Sequence, residues 1–299
     1  MLPLAAVRVP GGITDVVVLT VSIAVWIPYR RRAKHLAAEG RALPTWRQAS
    51  FASGLAMLVG VLSGPADAIA DKLLVAHMAE HLVIGDLAAL ALVLGLTGPM
   101  IAPLLRQPTL GRLRVFGNPA IALPLWAVDL YLWHIPFFYD AALNNDYIHI
   151  LEHSCFLAAG IAMWMALLGP LPKPAWFTNL GKLGYIIGVR LIEGILGNAM
   201  LFSHAIFYPY YIPFDHARHL SPLQDQIDAG AVMMVEGSIL TILLFAWLFA
   251  RAARESDERQ ELLDYAYANN LDLDEARAAR AVAAGRGEEL RRRLEERVS

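Results

Sequence analysis

The chain has 299 residues, 57% of them hydrophobic and only 17% charged, with a mean hydropathy of +0.46. That composition excludes an ordinary soluble domain and fits an α-helical membrane protein, because a hydrocarbon core of about 30 Å takes roughly 20 apolar residues per helical span. The net charge of −2 is uninformative by itself because the two signs are sorted along the chain; no nucleic-acid partner is expected, and the single Cys155 excludes an internal disulfide or a Cys-rich metal site.

The expected fold is all-α, with about seven transmembrane helices in residues 1–250 and a charged helical cytoplasmic tail in 251–299. The first apolar run, Ile13–Ile27, ends in Tyr29-Arg30-Arg31-Arg32. Arg8 is the only basic residue before it, so the segment reads as a retained span, not a cleavable signal. The seven spans are expected near 13–29, 48–66, 73–97, 119–139, 148–168, 184–208 and 226–250. Loops 30–47, 98–118 and 169–183 then carry 11 Lys and Arg, whereas the opposite side holds only Arg8, Lys72 and Arg218. This asymmetry predicts an N-terminus outside and a C-terminus in the cytoplasm. The tail adds ten basic residues and the mixed-sign run Glu288–Arg297, a pattern for solvated helices supported by i,i+4 charge pairs.

Two spans open with the same motif. His77-Met78-Ala79-Glu80-His81 begins the third and His149-Ile150-Leu151-Glu152-His153 the fifth, with Gly98-Pro99 and Gly169-Pro170 closing them. Histidines four apart lie on one helix face, one turn above the other. His77 with His81, and His149 with His153, can therefore each point at one metal ion. Glu80 and Glu152 can act as ligands, as partners that fix an imidazole tautomer, or as plain charge partners. His134 falls near the outer end of the fourth span and His204 near that of the sixth, with His216 and His219 in an outer loop. Only His35 is placed on the cytoplasmic side. Imidazole suits copper, zinc and iron, and the thioethers of Met78 and Met200 incline the choice toward copper, with zinc and haem as alternatives. His-x-x-Glu-His is also the inverted zinc-protease signature. No other catalytic constellation accompanies it, and no nucleophilic triad or phosphate-binding loop is present. Within the membrane, Asp129, Arg190, Glu193, Asp228 and Glu236 need partners. Arg190 and Glu193 can pair with each other at i,i+3, while Asp86 and Cys155 project away from the histidine faces. Gly194 and Gly197 read as helix-packing residues.

In this order and spacing, the chain resembles the multi-span CtaG-type family of cytochrome c oxidase assembly proteins over about 45–250. The resemblance rests on His77–His81, on Leu132-Trp133-His134-Ile135-Pro136 with Tyr139–Leu143, and on His149–His153 with Trp164 and Leu168-Gly169-Pro170. The last piece is Asp225-Gln226 with Ala229-Gly230 and Met233 or Met234. It implies a seven-span bundle of the bacterial inner membrane, a site facing outward, and partners among oxidase subunits or other assembly factors. His77, His81, His134, His149 and His153 match its motif positions, His204 less closely. The implied role is non-enzymatic: copper handling for oxidase maturation. A membrane copper transporter or a haem- or metal-binding redox protein are the alternative readings.

Overall fold

The computed structural model describes residues 11–283 and 285–297, and Arg8 lies outside them. Among the described residues all regular structure is helical. The chain divides into two compact units, one ending at Ile239 and one beginning at Leu240.

In the first unit, α1 (Gly11–Ala38) runs on through Arg30–Arg32 to the left-handed Gly40. It is followed by α2 (Thr45–Val61), the short α3 (Pro65–Ala70) and α4 (Leu74–Leu94). After α5 (Gly98–Leu105), a 3-10 segment at Leu110–Gly117 meets α6 (Pro119–Trp133) at a bend of 92°. Asn118 caps α6 and Pro119 occupies its first turn, where a missing N–H costs nothing. Then come α7 (Pro136–Asn144), α8 (Asp146–Leu167), α9 (Asn179–Phe202), the small α10 (Ile212–Ala217) and α11 (Pro222–Ala268).

Among the described residues five helices (α1, α4, α8, α9 and α11) are long and apolar enough to cross a membrane, or six if the bent pair at α6 counts as one span. Of the seven expected spans, the second is the 17-residue α2 and the fourth the 15-residue α6. At 1.5 Å per residue these reach only about 26 and 23 Å. The fourth is cut short because Ile135 precedes Pro136 and is held extended, so the helix stops at Trp133. The sixth stops at Phe202 instead of continuing to 208. The exposed surface is rich in large apolar side chains, Leu191 and Ile195 on α9 among them, as a lipid-facing surface must be.

Polar groups are used to tie helix ends. Arg47 of α2 donates to the carbonyls of Leu94 (2.7 Å) and Leu96 (3.0 Å), placing a cation on the C-terminal carbonyls of α4. At the other end of α4, Asp225 accepts from the N–H groups of Leu74 (2.7 Å) and Val75 (3.0 Å). Leu73 stands at the cap position and offers no side-chain hydrogen bond, so the cap comes from the start of α11 instead.

The second unit contains the end of α11, α12 (Glu275–Ala283) and α13 (Gly287–Glu295), packed on Leu262, Val282, Leu290 and Leu294. Pairs such as Arg251–Glu255 (2.7 Å) and Arg291–Glu295 (3.2 Å) have the expected i,i+4 spacing. The last apolar run and the charged segment form one 47-residue helix, because nothing between Arg251 and Ala268 breaks it. It ends at Ala268, and Asn270, with a φ of +53°, closes the turn that follows.

Candidate metal centre

The histidine site is built where α4 and α8 cross. Gly85 and Gly160 meet there so closely that a Cβ on Gly160 would fall on the backbone of Gly85. Gly85 lies in a π turn, Val83–Ala88, within α4. Asn145 caps α8, accepting from Tyr147 and Ile148, and this starts the helix so that His149 and His153 stand on the face toward α4.

The two motifs converge. His77, His81, His149, Glu152 and His153 each offer one donor atom, and these five atoms lie within 4.8 Å of one another. The ring centres of His77 and His149 are 5.3 Å apart, and those of His81 and His153 5.2 Å. His77 and Glu152 are fully buried, and His81 and His153 nearly so. The ring nitrogens of His81, Nε2 of His153 and both oxygens of Glu152 have no hydrogen-bond partner within the chain. Four imidazoles and a carboxylate whose donor atoms converge in this way are what an ion of borderline softness takes. Ligands around such an ion stand about 2.0–2.2 Å from it.

The motifs are not equivalent. Glu152 joins the group and Glu80 does not, although Glu80 is also buried with both oxygens unpartnered. Glu80 lies within electrostatic reach of Asp67, Asp71 and Glu152, so the approach to the histidines is acidic.

His134 stands beside the group, its ring 6.3 Å from that of His81. The break after Trp133 leaves Leu130 a free carbonyl, and Nδ1 of His134 donates to it (2.7 Å), which leaves Nε2 as the lone-pair nitrogen. His204 is not brought to the site: it is exposed in the loop beyond α9, because that helix ends at Phe202. His216 and His219 are exposed as well. Met78 and Met200 are buried on α4 and α9.

Sequence reasoning missed the wall of the site. Phe156 lies 4.4 Å from His81 and Tyr139 5.3 Å from His77, ring centre to ring centre. Tyr139 stacks on Tyr208 at 3.9 Å, and its hydroxyl is 3.1 Å from that of Tyr211. Tyr208 donates to the carbonyl of His134 (2.8 Å). The loop that supplies Tyr208 and Tyr211 is pinned by the fully buried Gln226, which accepts from Phe207 N–H (2.7 Å) and donates to the carbonyl of Ala205 (3.0 Å). The signal available was the Tyr208-Pro209-Tyr210-Tyr211 cluster beside the Asp225-Gln226 pair. In the same loop, burial and the neighbouring charge of Asp225 push Asp215 up to about 6.

The remaining intramembrane charges are paired or grouped. Arg190 meets Glu193 at 3.7 Å, with the expected i,i+3 spacing, and Asp129 accepts from the Trp133 indole (3.2 Å). Gly197 lets α9 approach Gly230 and Met234 of α11.

No curated protein and no solved structure matches this chain. The family signature described as cytochrome c oxidase caa3 assembly factor matches residues 21–255, a stretch that holds both histidine motifs, His134 and the Asp225-Gln226 pair. On that match, the chain belongs to the cytochrome c oxidase caa3 assembly factor family of membrane proteins.

Proposed function

We propose that the chain binds a copper ion between its two His-x-x-Glu-His motifs and hands it on during maturation of cytochrome c oxidase. The observation that carries this reading is the convergence of His77, His81, His149, Glu152 and His153 within 4.8 Å. The family supplies the oxidase, and the imidazole-rich donor set supplies the metal class. The same nitrogen and oxygen donors also suit zinc. Rings packed this closely favour a single ion over the flat macrocycle of haem. His134 lies one shell farther out and can serve as a transfer ligand, with its Nε2 directed away from the Leu130 bond.

The basic-residue asymmetry supports an outward-facing site in a bacterial plasma membrane, with the tail inside. Its natural partners are the oxidase subunits that receive copper, or other assembly factors. Handing on a metal needs reversible coordination and no bond-breaking step, so we assign no catalytic residue.

The test is metal analysis of the purified protein beside the His77→Ala/His149→Ala variant, together with a visible spectrum. We expect copper near one equivalent per chain, lost in the variant, and no haem band. A folded sample that takes up no copper would refute metal handling while leaving family membership untouched. Oxidase activity in cells carrying the variant then tests delivery.

A further inference from the structure

Deeper in the bundle, three carboxylates from three helices come together. Asp86 belongs to the π turn of α4, Glu193 to α9 and Glu236 to α11. The charges of Glu236 and Glu193 reach Asp86, that of Glu193 reaches Glu236, and the Glu193 carboxylate lies against Gly237, the residue after Glu236. Their depth follows from helix geometry. The histidine-bearing end of α4, the C-terminal end of α9 and the N-terminal end of α11 are gathered by the Asp225 and Gln226 bonds. From those ends Asp86 is about 18 Å along α4, Glu193 about 14 Å along α9 and Glu236 about 21 Å along α11. All three fall near the middle of a hydrocarbon layer of about 30 Å.

Among the described residues, one cation faces them. Arg190 lies 3.7 Å from Glu193 and is anchored by donating to the carbonyl of Met234 (3.1 Å) and to Ser238 (3.0 Å). Asn198 turns its amide to the carbonyl of Gly194 and the sulfur of Met234, and adds no charge. Glu193 is only 7% exposed, and its Oε1 has no hydrogen-bond partner; neither oxygen of Glu236 has one. Three carboxylates against one guanidinium leave two negative charges uncompensated, in a medium where an isolated charge costs several kcal/mol or more. A divalent metal is a poor answer, because the anchored guanidinium would repel it and the group contains no imidazole. Protons carry the same compensation without that repulsion.

We propose that Asp86, Glu193 and Glu236 form a proton-exchange site at mid-depth of the bundle, in which two carboxyl protons are shared among three carboxylates. Each proton forms an O–H bond at a carboxylate oxygen and leaves as a proton, with no electron transfer. The unpartnered oxygens are the acceptors. The π turn gives the site its third member, since a one-residue excess re-aims Asp86 relative to the preceding α-helical face. This site stands independently of the copper reading.

The experiment is difference infrared spectroscopy of the full chain in lipid at neutral pH. We expect a protonated-carboxyl band that shifts in heavy water, and loss of one carboxyl's share of it in Glu236→Gln and in Asp86→Asn. Glu80→Gln and Glu152→Gln identify any contribution from the histidine site. Glu236→Asp, which keeps the carboxyl, should keep the band at a shifted position. If Glu236→Gln and Asp86→Asn both fold by circular dichroism and leave the band unchanged, the proposal is wrong. It is equally wrong if the band rises only after a chelator strips metal, because the cation held would then be a metal.

Discussion

Substituting Gly160 by Ala should damage the metal site without touching any ligand. A Cβ there would lie 3.0 Å from Cα and 2.8 Å from the carbonyl carbon of Gly85, and closer still to its oxygen. Non-bonded carbons rest about 3.5–4.0 Å apart, so the α4–α8 crossing must open by about 1 Å. All three obstructing atoms are backbone, which cannot swing aside as a side chain would. Overpacking of this kind costs about 1–3 kcal/mol. His81 is four residues from Gly85 and His153 seven from Gly160, so the opening passes directly to the donors. A ligand set tolerates displacements of about 0.5 Å. If the strain is relieved at the site, affinity falls by roughly 5- to 150-fold. The assay is a competitive copper titration with a thermal melt on the same sample. Gly184→Ala is the control, since a Cβ there meets nothing within 4 Å. If Gly160→Ala binds and melts as the parent does, the crossing is not what holds the two motifs together.

Three further outcomes follow from particular contacts. Asp225→Ala removes the cap on Leu74 and Val75 and should lower stability by about 1 kcal/mol in a denaturation series, with weaker copper binding through His77; unchanged stability would show the cap to be idle. His134→Ala should retain nearly all bound copper, whereas His77→Ala and His153→Ala should lose it, because His134 stands outside the five converging donors; an empty His134→Ala protein refutes this ordering. Asp215 rises from 3.8 to about 6 on folding, so the native loop holds more protons than the unfolded chain between those values, and stability should fall as pH rises from about 4 to about 6. Asp215→Asn should flatten that part of the melting profile, and a slope identical to the parent's would contradict the assignment.

The histidine motifs were readable because two constraints act on them together. Helical spacing puts His77 and His81, or His149 and His153, on one face, and the parallel sense of the two spans sets both faces at one depth. A separation of the two pairs by well over 10 Å would have removed the shared site, and the donors instead lie within 4.8 Å. The break at His134 was written in Ile135-Pro136, but a run of apolar residues on both sides masks it in a hydropathy reading. His204 was misplaced for the opposite reason: apolar residues continue past Ser203 although the helix does not. The π turn had no sequence marker, and Gly85 resembled any other glycine. Tyr208 and Tyr211 reach the site through a loop whose path depends on Gln226, a tertiary contact that no local pattern encodes.

The cost of assembling the centre also explains its surroundings. Burying imidazole nitrogens and carboxylate oxygens without partners is unfavourable by about 1–3 kcal/mol per group, and the chain does so at His81, Glu80 and Glu152. Such an arrangement survives only if other contacts hold it in place. Four do so here: the Gly85–Gly160 crossing, the Asp225 cap, the Gln226 clamp, and the tyrosine wall closed by Tyr208 on the His134 carbonyl. Each of these acts through groups that are not among the donors themselves. The donors are therefore held together by contacts other than their own, and on the proposed function an ion entering the site would meet little reorganisation. An ion leaving it returns the protein to a state already supported by the frame. That separation of framework and ligands is what the proposed function requires, since delivery to another protein demands reversible holding of the metal.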